Sequence, residues 1–256
     1  MSSLFQTRNL SRSFGGLRAV SDVTIDVPAG CVMGLIGPNG AGKTTLVNLI
    51  SGALKPSAGE ILFKGQRTDG LPAYRIARLG IARTYQIVQP FPKMTALENV
   101  AAAAIFAGNA GSLARANRTA EEQLERVGLN GLGSVPAASL SLGQRKRLEL
   151  AKSLAMNPAL LLLDEVNAGL HGSELSEAIA LIRDLAKGGL TIIIIEHLMK
   201  VVVSLCDEIA VLHQGELIAR GPSSVIMNDD RVIEAYLGER YSKQGRTGNA
   251  LNHAQT

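Results

Sequence analysis

An apolar segment, a glycine-rich loop and a second apolar segment follow one another over residues 31–52 and constrain the fold more than any other part of the chain. Residues 31–36 form a short apolar run typical of a buried strand, and residues 46–50 have the spacing of a buried helix face. The loop between them reads GPNGAGKT over residues 37–44 and fits the pattern GxxxxGK[ST]. This order of strand, loop and helix predicts an α/β domain.

The loop carries groups suited to the phosphates of a nucleoside triphosphate. Its glycines allow the backbone to fold tightly, so that successive N–H groups and the positive end of the helix dipole face an anion. Lys43 supplies a full charge to the β- and γ-phosphates, and the Thr44 hydroxyl is a candidate Mg²⁺ ligand. A glycine-rich turn that fits by chance is the alternative, which the order of elements disfavours. The predicted nucleotide-binding residues of this segment are Asn39, Gly40, Gly42, Lys43, Thr44 and Thr45.

The composition is that of an ordinary globular protein. Hydrophobic residues make up 46 % and charged residues 19 % of the chain. Its length of 256 residues is enough for one large α/β domain or for a domain with a smaller insert. The net charge of +4 is mild and the basic residues are scattered, so we predict no nucleic-acid partner. Apolar stretches of signal-peptide or membrane-spanning length are missing, which predicts a soluble cytosolic chain. Cys31 and Cys206 lack metal-ligand spacing, and buried thiols are favoured over a disulfide.

Alternating strands and helices flank a block that is nearly all helical. The first part has predicted strands at residues 4–10, 21–27 and 81–85, an edge strand and turn at 60–65 and a short helix at 72–79. Helices are predicted over 119–128 and 141–156, and Thr95 and Glu98 form a capping box that opens an earlier one. We predict five segments: 1–94, the N-terminal part of the α/β core with a β subdomain; 95–157, helical; 158–221, the rest of the core; 222–240, a helical extension; and 241–256, a disordered tail.

Two carboxylates follow a predicted buried strand of leucines. Asp164 and Glu165 come directly after Leu160–Leu163, at the strand end where open α/β sheets bind ligands. Asp164 is a candidate to hold Mg²⁺ through water, and Glu165 is a candidate general base for an attacking water. A solvated acidic pair is the alternative. The phosphate loop upstream favours the functional interpretation.

A capped helix lies about 20 residues before these carboxylates. Ser141 and Gln144 have capping-box spacing, and Gly143 permits close approach to the helix N-terminus. Alone, this describes only a well-capped helix. In its position, however, LSLGQ closely resembles the LSGGQ signature of ATP-binding cassette (ABC) ATPases. The order phosphate loop, Gln86, LSLGQ, LLLLDE and His197 is similar to that family across residues 4–238.

This resemblance implies a fold and a set of roles. The fold is α/β: a P-loop ABC ATPase core, consisting of a mixed sheet with flanking helices and an N-terminal antiparallel β subdomain, with an inserted all-helical subdomain. The implied cofactors are ATP and Mg²⁺. Phe14 is implied to stack on adenine, and His197 to contact the γ-phosphate. Gln86 is implied to ligate Mg²⁺ and to relay events to the transport partner. The residues implied to contact ATP held by the opposite subunit are Ser141, Gly143 and Gln144. The alternative for Phe14 is an aromatic residue of the core, and the alternative for His197 is a purely structural histidine.

Three further strings resemble the ATPases of branched-chain amino acid importers: SFGGLRAV at 13–20, ARTYQ with PFPKMT between 82 and 95, and VIEAYLGE at 232–239. That resemblance implies ATP hydrolysis at a dimer interface to drive uptake of branched-chain amino acids or a related small polar solute, such as other amino acids, urea or amides. It implies as partners a second ABC ATPase subunit, identical or related, two membrane permease subunits and, indirectly, a periplasmic or extracellular solute-binding protein. The implied location is the cytoplasmic face of the cell membrane, as a peripheral subunit.

Two other functions compete with this one. A soluble ABC ATPase that acts on nucleic acid or ribosomes usually carries a second cassette, a coiled-coil insert or basic arms, and the sequence shows none of them. A weakly hydrolysing regulatory cassette is disfavoured by Glu165 and His197, although two departures from the family pattern keep it open. Val166 stands where proline usually follows the carboxylates, and His171 stands where aspartate is usual. A third departure, Leu142 in place of the first signature glycine, is one that the importer ATPases tolerate.

Overall fold

The computed structural model describes residues 3–85, 90–108 and 110–237. Gln86 and the predicted tail, residues 241–256, lie outside the described residues. The strands are β1 Ser3–Phe14, β2 Leu17–Pro28, β3 Val32–Ile36, β4 Ala58–Phe63, β5 Gln66–Arg67, β6 Ile81–Arg83, β7 Leu160–Asp164, β8 Thr191–Ile195, β9 Glu208–His213 and β10 Glu216–Gly221. The helices are α1 Lys43–Ile50, α2 Ala73–Leu79, α3 Ala96–Phe106, α4 Leu113–Arg126, α5 Leu142–Ala155, α6 Gly172–Lys187, α7 Met199–Leu205, α8 Ser223–Ile226 and α9 Asp230–Leu237.

A six-stranded sheet forms the centre of the molecule, in the order β10-β9-β3-β8-β7-β6. Its strands are parallel except β10, which pairs antiparallel with β9. All five residues of β7 and of β8 are buried, and successive side chains enter different hydrophobic clusters on the two faces. Continuous apolar runs are what a strand covered on both faces requires. The mixed sheet with flanking helices is therefore confirmed.

A smaller antiparallel sheet, in the order β2-β1-β4-β5, packs beside the N-terminal part of the core. The strand and turn predicted at residues 60–65 are present, as β4 and a turn at 64–65, but the predicted edge position is wrong. β4 lies between β1 and β5, because a two-residue strand at Gln66–Arg67 folds back onto its outer side. A strand this short leaves little periodicity in the sequence to reveal it.

Helices α3, α4 and α5 pack on one another and on one face of the central sheet. The predicted capping boxes at Thr95 and Ser141 are both present. The helix predicted over residues 119–128 begins earlier, at Leu113, with Ser112 as its N-cap. Its buried face is made of Ala116, Ala120 and Leu124, and alanines give only a weak apolar signal. The boundaries of the five predicted segments stay a prediction.

In the described part of the chain, no helix is both long and apolar enough to cross a membrane. Both cysteines carry free thiols. Burial, with smaller contributions from nearby carboxylates, raises the pKa of Cys31 to about 11 and that of Cys206 to about 12. Both side chains are therefore neutral at physiological pH.

Candidate nucleotide-binding site

The phosphate loop runs from the end of β3 to the start of α1 and is packed tightly between neighbouring strands. A Cβ atom on Gly37 would lie 2.1 Å from the backbone oxygen of Leu212 in β9. One on Gly42, where φ is +103°, would lie 2.4 Å from the backbone oxygen of Ala19 in β2. Both positions exclude a larger residue, and Gly42 also needs the left-handed backbone that glycine adopts readily. The two glycines therefore fix the path of the loop.

The N-terminus of α1 opens onto the loop. Gly42 is its N-cap, and the first turn has neither a side-chain cap nor an acidic residue among the described residues. The first N–H groups of a helix lack intrahelical partners, so they are available to an anion here. The buried Lys43 ammonium donates hydrogen bonds to the backbone oxygens of Gly37 (2.7 Å) and Pro38 (2.9 Å). Burial lowers the pKa of Lys43, while Glu165 and Asp164 act to raise it.

One cleft of about 660 Å³ brings most of the predicted residues together. It is lined by every predicted nucleotide-binding residue, Phe14 and loop positions alike, together with both predicted catalytic residues, Glu165 and His197. Phe14 is 43 % exposed, so it is not the core aromatic of the alternative. The guanidinium of Arg12 lies 4.6 Å from the centroid of the Phe14 ring. Arg12 is a contact that the sequence did not reveal.

Glu165 and His197 meet although they follow different strands. The imidazole Nε2 of His197 lies within hydrogen-bond distance of Glu165 Oε1. Glu165 has a φ of +49°, and its N–H donates to the backbone oxygen of Ile195 at 3.0 Å, which extends the β7–β8 pairing beyond Asp164. A carboxylate beside an imidazole, facing a cleft lined by loop amides, can hold and polarise a water molecule. The catalytic roles themselves stay a prediction.

Asp164 and Thr44 lie on a second surface, a groove of about 700 Å³ between α2 and α5, here called the α2–α5 groove. The Asp164 carboxylate accepts a hydrogen bond of 2.6 Å from Arg83. Thr44 lines both the cleft and this groove, so Thr44 and Asp164 contribute to a common surface. The described residues contain no cluster of three or more acidic, histidine or cysteine ligands. One hydroxyl and one carboxylate fit Mg²⁺, which commonly takes its remaining ligands from water and substrate phosphates.

Residues 20–168, more than half of the chain, match the family described as ABC transporter. The chain is an ABC ATPase. Its residues 216–242 also match the family described as branched-chain amino acid ATP-binding cassette transporter.

Proteins similar to this ATPase match it over nearly their whole length. LivG of Escherichia coli K12, a high-affinity branched-chain amino acid transport ATP-binding protein, is 40 % identical over 92 % of this chain and 98 % of LivG. BraF of Pseudomonas aeruginosa has the same description, identity and coverage. The solved ADP conformation of MJ1267, an ATP-binding cassette of an ABC transporter, is 31 % identical with a TM-score of 0.84, covering 93 % of this chain and 100 % of MJ1267.

The signature residues of this ATPase lie apart from its own phosphate loop. Ser141, Gly143 and Gln144 line a third cleft, of about 600 Å³, with residues of α6 and of the loop after β7. Ser141 Oγ accepts from the Gln144 N–H at 3.2 Å, and Gln144 Oε1 accepts from the Ser141 N–H at 2.9 Å. A Cβ on Gly143 would lie 3.2 Å from the Glu174 carboxylate. Within one chain, these residues do not join the cleft that holds Lys43.

The buried carboxylate of Glu196, next to His197, was also not predicted from the sequence. Glu196 is buried, and its Oε1 accepts from the side-chain amide of Asn167 at 2.7 Å and from the Asn167 N–H at 3.3 Å. Burial raises the pKa of Glu196, hydrogen bonds from Asn167 and His197 act to lower it, and Glu165 acts to raise it. The contact joins the loop after β7 to the end of β8. A glutamate beside a predicted catalytic histidine was the one signal for it in the sequence.

Proposed function

We propose that this ATPase is the ATP-binding subunit of an importer that takes up branched-chain amino acids or a related small polar solute, such as another amino acid, urea or an amide. The observation that carries the proposal is the match of residues 216–242 to a family of branched-chain amino acid transporters. The description of LivG and BraF supports the same substrate class. A non-transport ABC ATPase and a weakly hydrolysing regulatory cassette have no comparable support.

In the proposed mechanism the cleft binds ATP. The amides of the loop and the α1 N-terminus hold the phosphates, and Lys43 turns from the loop carbonyls to the β- and γ-phosphates. Phe14 stacks on adenine, with Arg12 on its ring. Glu165 takes a proton from the attacking water, while His197 holds Glu165 and contacts the γ-phosphate. Asn39, Gly40, Gly42 and Thr45 complete the phosphate contacts.

Thr44 and Asp164 are proposed to hold Mg²⁺, together with Gln86, which lies outside the described residues. When bound, the metal neutralises charge on the phosphate oxygens. The hydroxyl of Thr44 would ligate it from the start of α1, and Asp164 would hold it through water from the end of β7. Residues of both elements line the α2–α5 groove.

The proposed partners are a second ABC ATPase, identical or related, and two membrane permeases, which receive solute from a periplasmic or extracellular binding protein. Tyr74 and Tyr85 are exposed on the α2–α5 groove, and Phe91 is exposed on the nearby segment 90–95. Exposed aromatic side chains that flank a groove are typical of surfaces that receive a partner helix. We propose that the permeases contact this surface. We also propose that this chain is a peripheral subunit on the cytoplasmic face of the membrane.

Glu165→Gln tests the proposed function. The amide keeps the size of the side chain but loses the proton affinity of a general base, so ATP hydrolysis should fall by about 10²–10⁴-fold while ATP binding persists. In cells that lack the gene, uptake of radiolabelled leucine, isoleucine or valine should be restored by the natural chain and not by Glu165→Gln. Both forms should copurify with the permeases.

Three other results would revise or contradict this proposal. Restored uptake of urea or another amino acid alone would move the substrate within the proposed class. Unchanged uptake of all these solutes in the deletion strain would contradict the importer. A Glu165→Gln protein that hydrolyses ATP at the normal rate would move the catalytic base elsewhere.

A further inference from the structure

Arg83, the last residue of β6, lies at a junction of three elements. Its Nη2 donates to Asp164 Oδ2 at the end of β7 (2.6 Å), and its Nη1 donates to Asn48 Oδ1 in α1 (2.6 Å). Nη1 also lies 3.3 Å from Ser51 Oγ, just after α1. The side chains of Arg83 and Asp164 are each only 7 % exposed. The planar guanidinium suits this task, since its donors are fixed in a fork.

Arg83 also contacts α5 through its backbone and the α2–α5 groove through its guanidinium. Its carbonyl oxygen accepts from Ser153 Oγ of α5 at 3.3 Å. Its guanidinium carbon lies 4.8 Å from the ring centroid of Tyr85, which is exposed in the α2–α5 groove. Arg83 is therefore in contact with the helix that follows the phosphate loop, the strand that carries the carboxylates, the signature helix and the groove.

Two effects of the guanidinium on a cation at Asp164 oppose each other. Its positive charge repels the cation, which would make Arg83 a competitor of the metal. Its hydrogen bonds fix the orientation of the carboxylate and the distance between β7 and α1, which would help the metal to bind. A competitor has to move away when the metal enters. Asn48 and Ser51 hold the guanidinium from the other side, and burial leaves it little room, so orientation outweighs repulsion.

We propose that Arg83 is a positioning residue for the magnesium site: it holds Asp164 Oδ2 and α1 together, so that Asp164 Oδ1 and the Thr44 hydroxyl are presented to the metal. The inference rests on the proposed role of Asp164 in holding Mg²⁺. It assigns to Arg83 a function in metal-dependent nucleotide binding rather than in the proton transfer at Glu165.

The test measures how much Mg²⁺ strengthens nucleotide binding by the full chain. A fluorescent ATP analogue is titrated with Mg²⁺ and with EDTA, and the ratio of the two dissociation constants is the readout. Arg83→Gln should reduce this ratio by about 10–100-fold, as expected for an outer-shell partner of a metal ligand, while affinity in EDTA stays unchanged. Arg83→Lys keeps the charge but lacks the fork, so it should also reduce the ratio. A ratio that rises in Arg83→Gln would identify Arg83 as a competitor and overturn the proposal.

A double-mutant cycle separates positioning from a general structural role. In an Asp164→Asn background, Arg83→Gln should have no further effect on the ratio, because its target carboxylate is gone. Arg220→Gln, which removes an arginine–carboxylate pair with Glu208 elsewhere, should leave the ratio unchanged. If the Arg83 variants do not fold, Asn48→Ala removes one anchor and should lower the ratio in the same direction.

The experiment distinguishes failure of the magnesium assignment at Asp164 from failure of the positioning role of Arg83. If Asp164→Asn itself leaves the ratio unchanged, the proposed magnesium residue is wrong. If Asp164→Asn lowers the ratio and neither Arg83 variant nor Asn48→Ala does, the magnesium assignment stands and the positioning role of Arg83 is wrong.

Discussion

Lys43 lies across the phosphate loop, where it bonds two carbonyl oxygens that belong to the loop itself. It is the only lysine among the described residues that line the cleft. A charged hydrogen-bond donor at that place connects two residues of the loop. We expect the same group to donate to the phosphates of bound ATP.

Lys43→Ala should therefore weaken binding of a fluorescent ATP analogue by about tenfold or more, since hydrogen bonds to charged groups contribute about 1.5–3 kcal/mol. Lys187→Ala, which removes an exposed lysine at the end of α6, is the control and should bind normally. Natural affinity in Lys43→Ala would contradict the nucleotide site.

Glu196 makes stability depend on pH. Its pKa in the folded chain is raised above the ordinary 4.5, mainly by burial, so the folded state binds the proton more tightly than the unfolded state does. As the pH rises above 4.5, ionisation then costs stability. Glu165 adds to this cost, Asn167 and the His197 N–H reduce it, and Lys146 is a nearby cation.

Glu196→Gln cannot ionise and keeps an oxygen for the Asn167 donors. Relative to the natural chain, it should gain stability against urea as the pH is raised from 4.5 to neutral, and the difference should shrink toward acid. Glu216→Gln, at an exposed glutamate, should show no such trend. A difference that is flat with pH would contradict the raised pKa.

Residue contacts of this kind could not be predicted from the sequence. Arg83 and Asp164 are separated by 81 positions, and Asn167 and Glu196 by 29. The strand ends that carry Asp164, Glu165 and His197 were predictable, because a motif reports which residues share an edge of a sheet. The partners that hold those residues are set by the packing of α1, β6 and the loop after β7, for which the sequence carries no pattern.

Secondary-structure elements were predictable where one strong rule applies. β7 was recognised because a strand covered on both faces needs an unbroken apolar run. Helices α3 and α5 were recognised from their capping boxes. The start of α4 and the position of β4 were not, because alanines and a two-residue neighbour leave weak signals.

The capping box of α3 gives a prediction at this scale. The Thr95 hydroxyl accepts from the Glu98 N–H at 3.2 Å, and Glu98 Oε2 accepts from the Thr95 N–H at 2.7 Å. Thr95→Ala should lower the free energy of unfolding by about 0.5–2 kcal/mol in urea titrations, and Thr95→Ser should restore most of it. Thr119→Ala, inside α4, should be neutral or stabilising, because alanine favours helix interiors. An equal loss in both alanine variants would show that the cap has no special role.

At the scale of the whole molecule, one chain carries two sets of predicted ATP-contacting residues that line different clefts. The phosphate loop shares its cleft with Phe14, Glu165 and His197, whereas Ser141 and Gly143 line another. The family resemblance pairs these two sets across a dimer. ATP would then be held from both sides, by the α1 N-terminus of one chain and the α5 N-terminus of the other. Hydrolysis would remove the anion that joins them.

The specific ATPase activity of the pure chain should therefore fall on dilution of about a hundredfold, by mass action, and should rise when a related partner ATPase is added. Ser141→Arg should leave binding of the ATP analogue intact but abolish both ATP-dependent dimerisation, measured by light scattering, and turnover. Ser141→Ala removes the cap without added bulk and should retain part of both. Ser134→Arg, at an exposed serine outside that cleft, should behave like the natural chain. Activity that stays constant on dilution, together with normal turnover in Ser141→Arg, would mean that a single chain completes its own catalytic site.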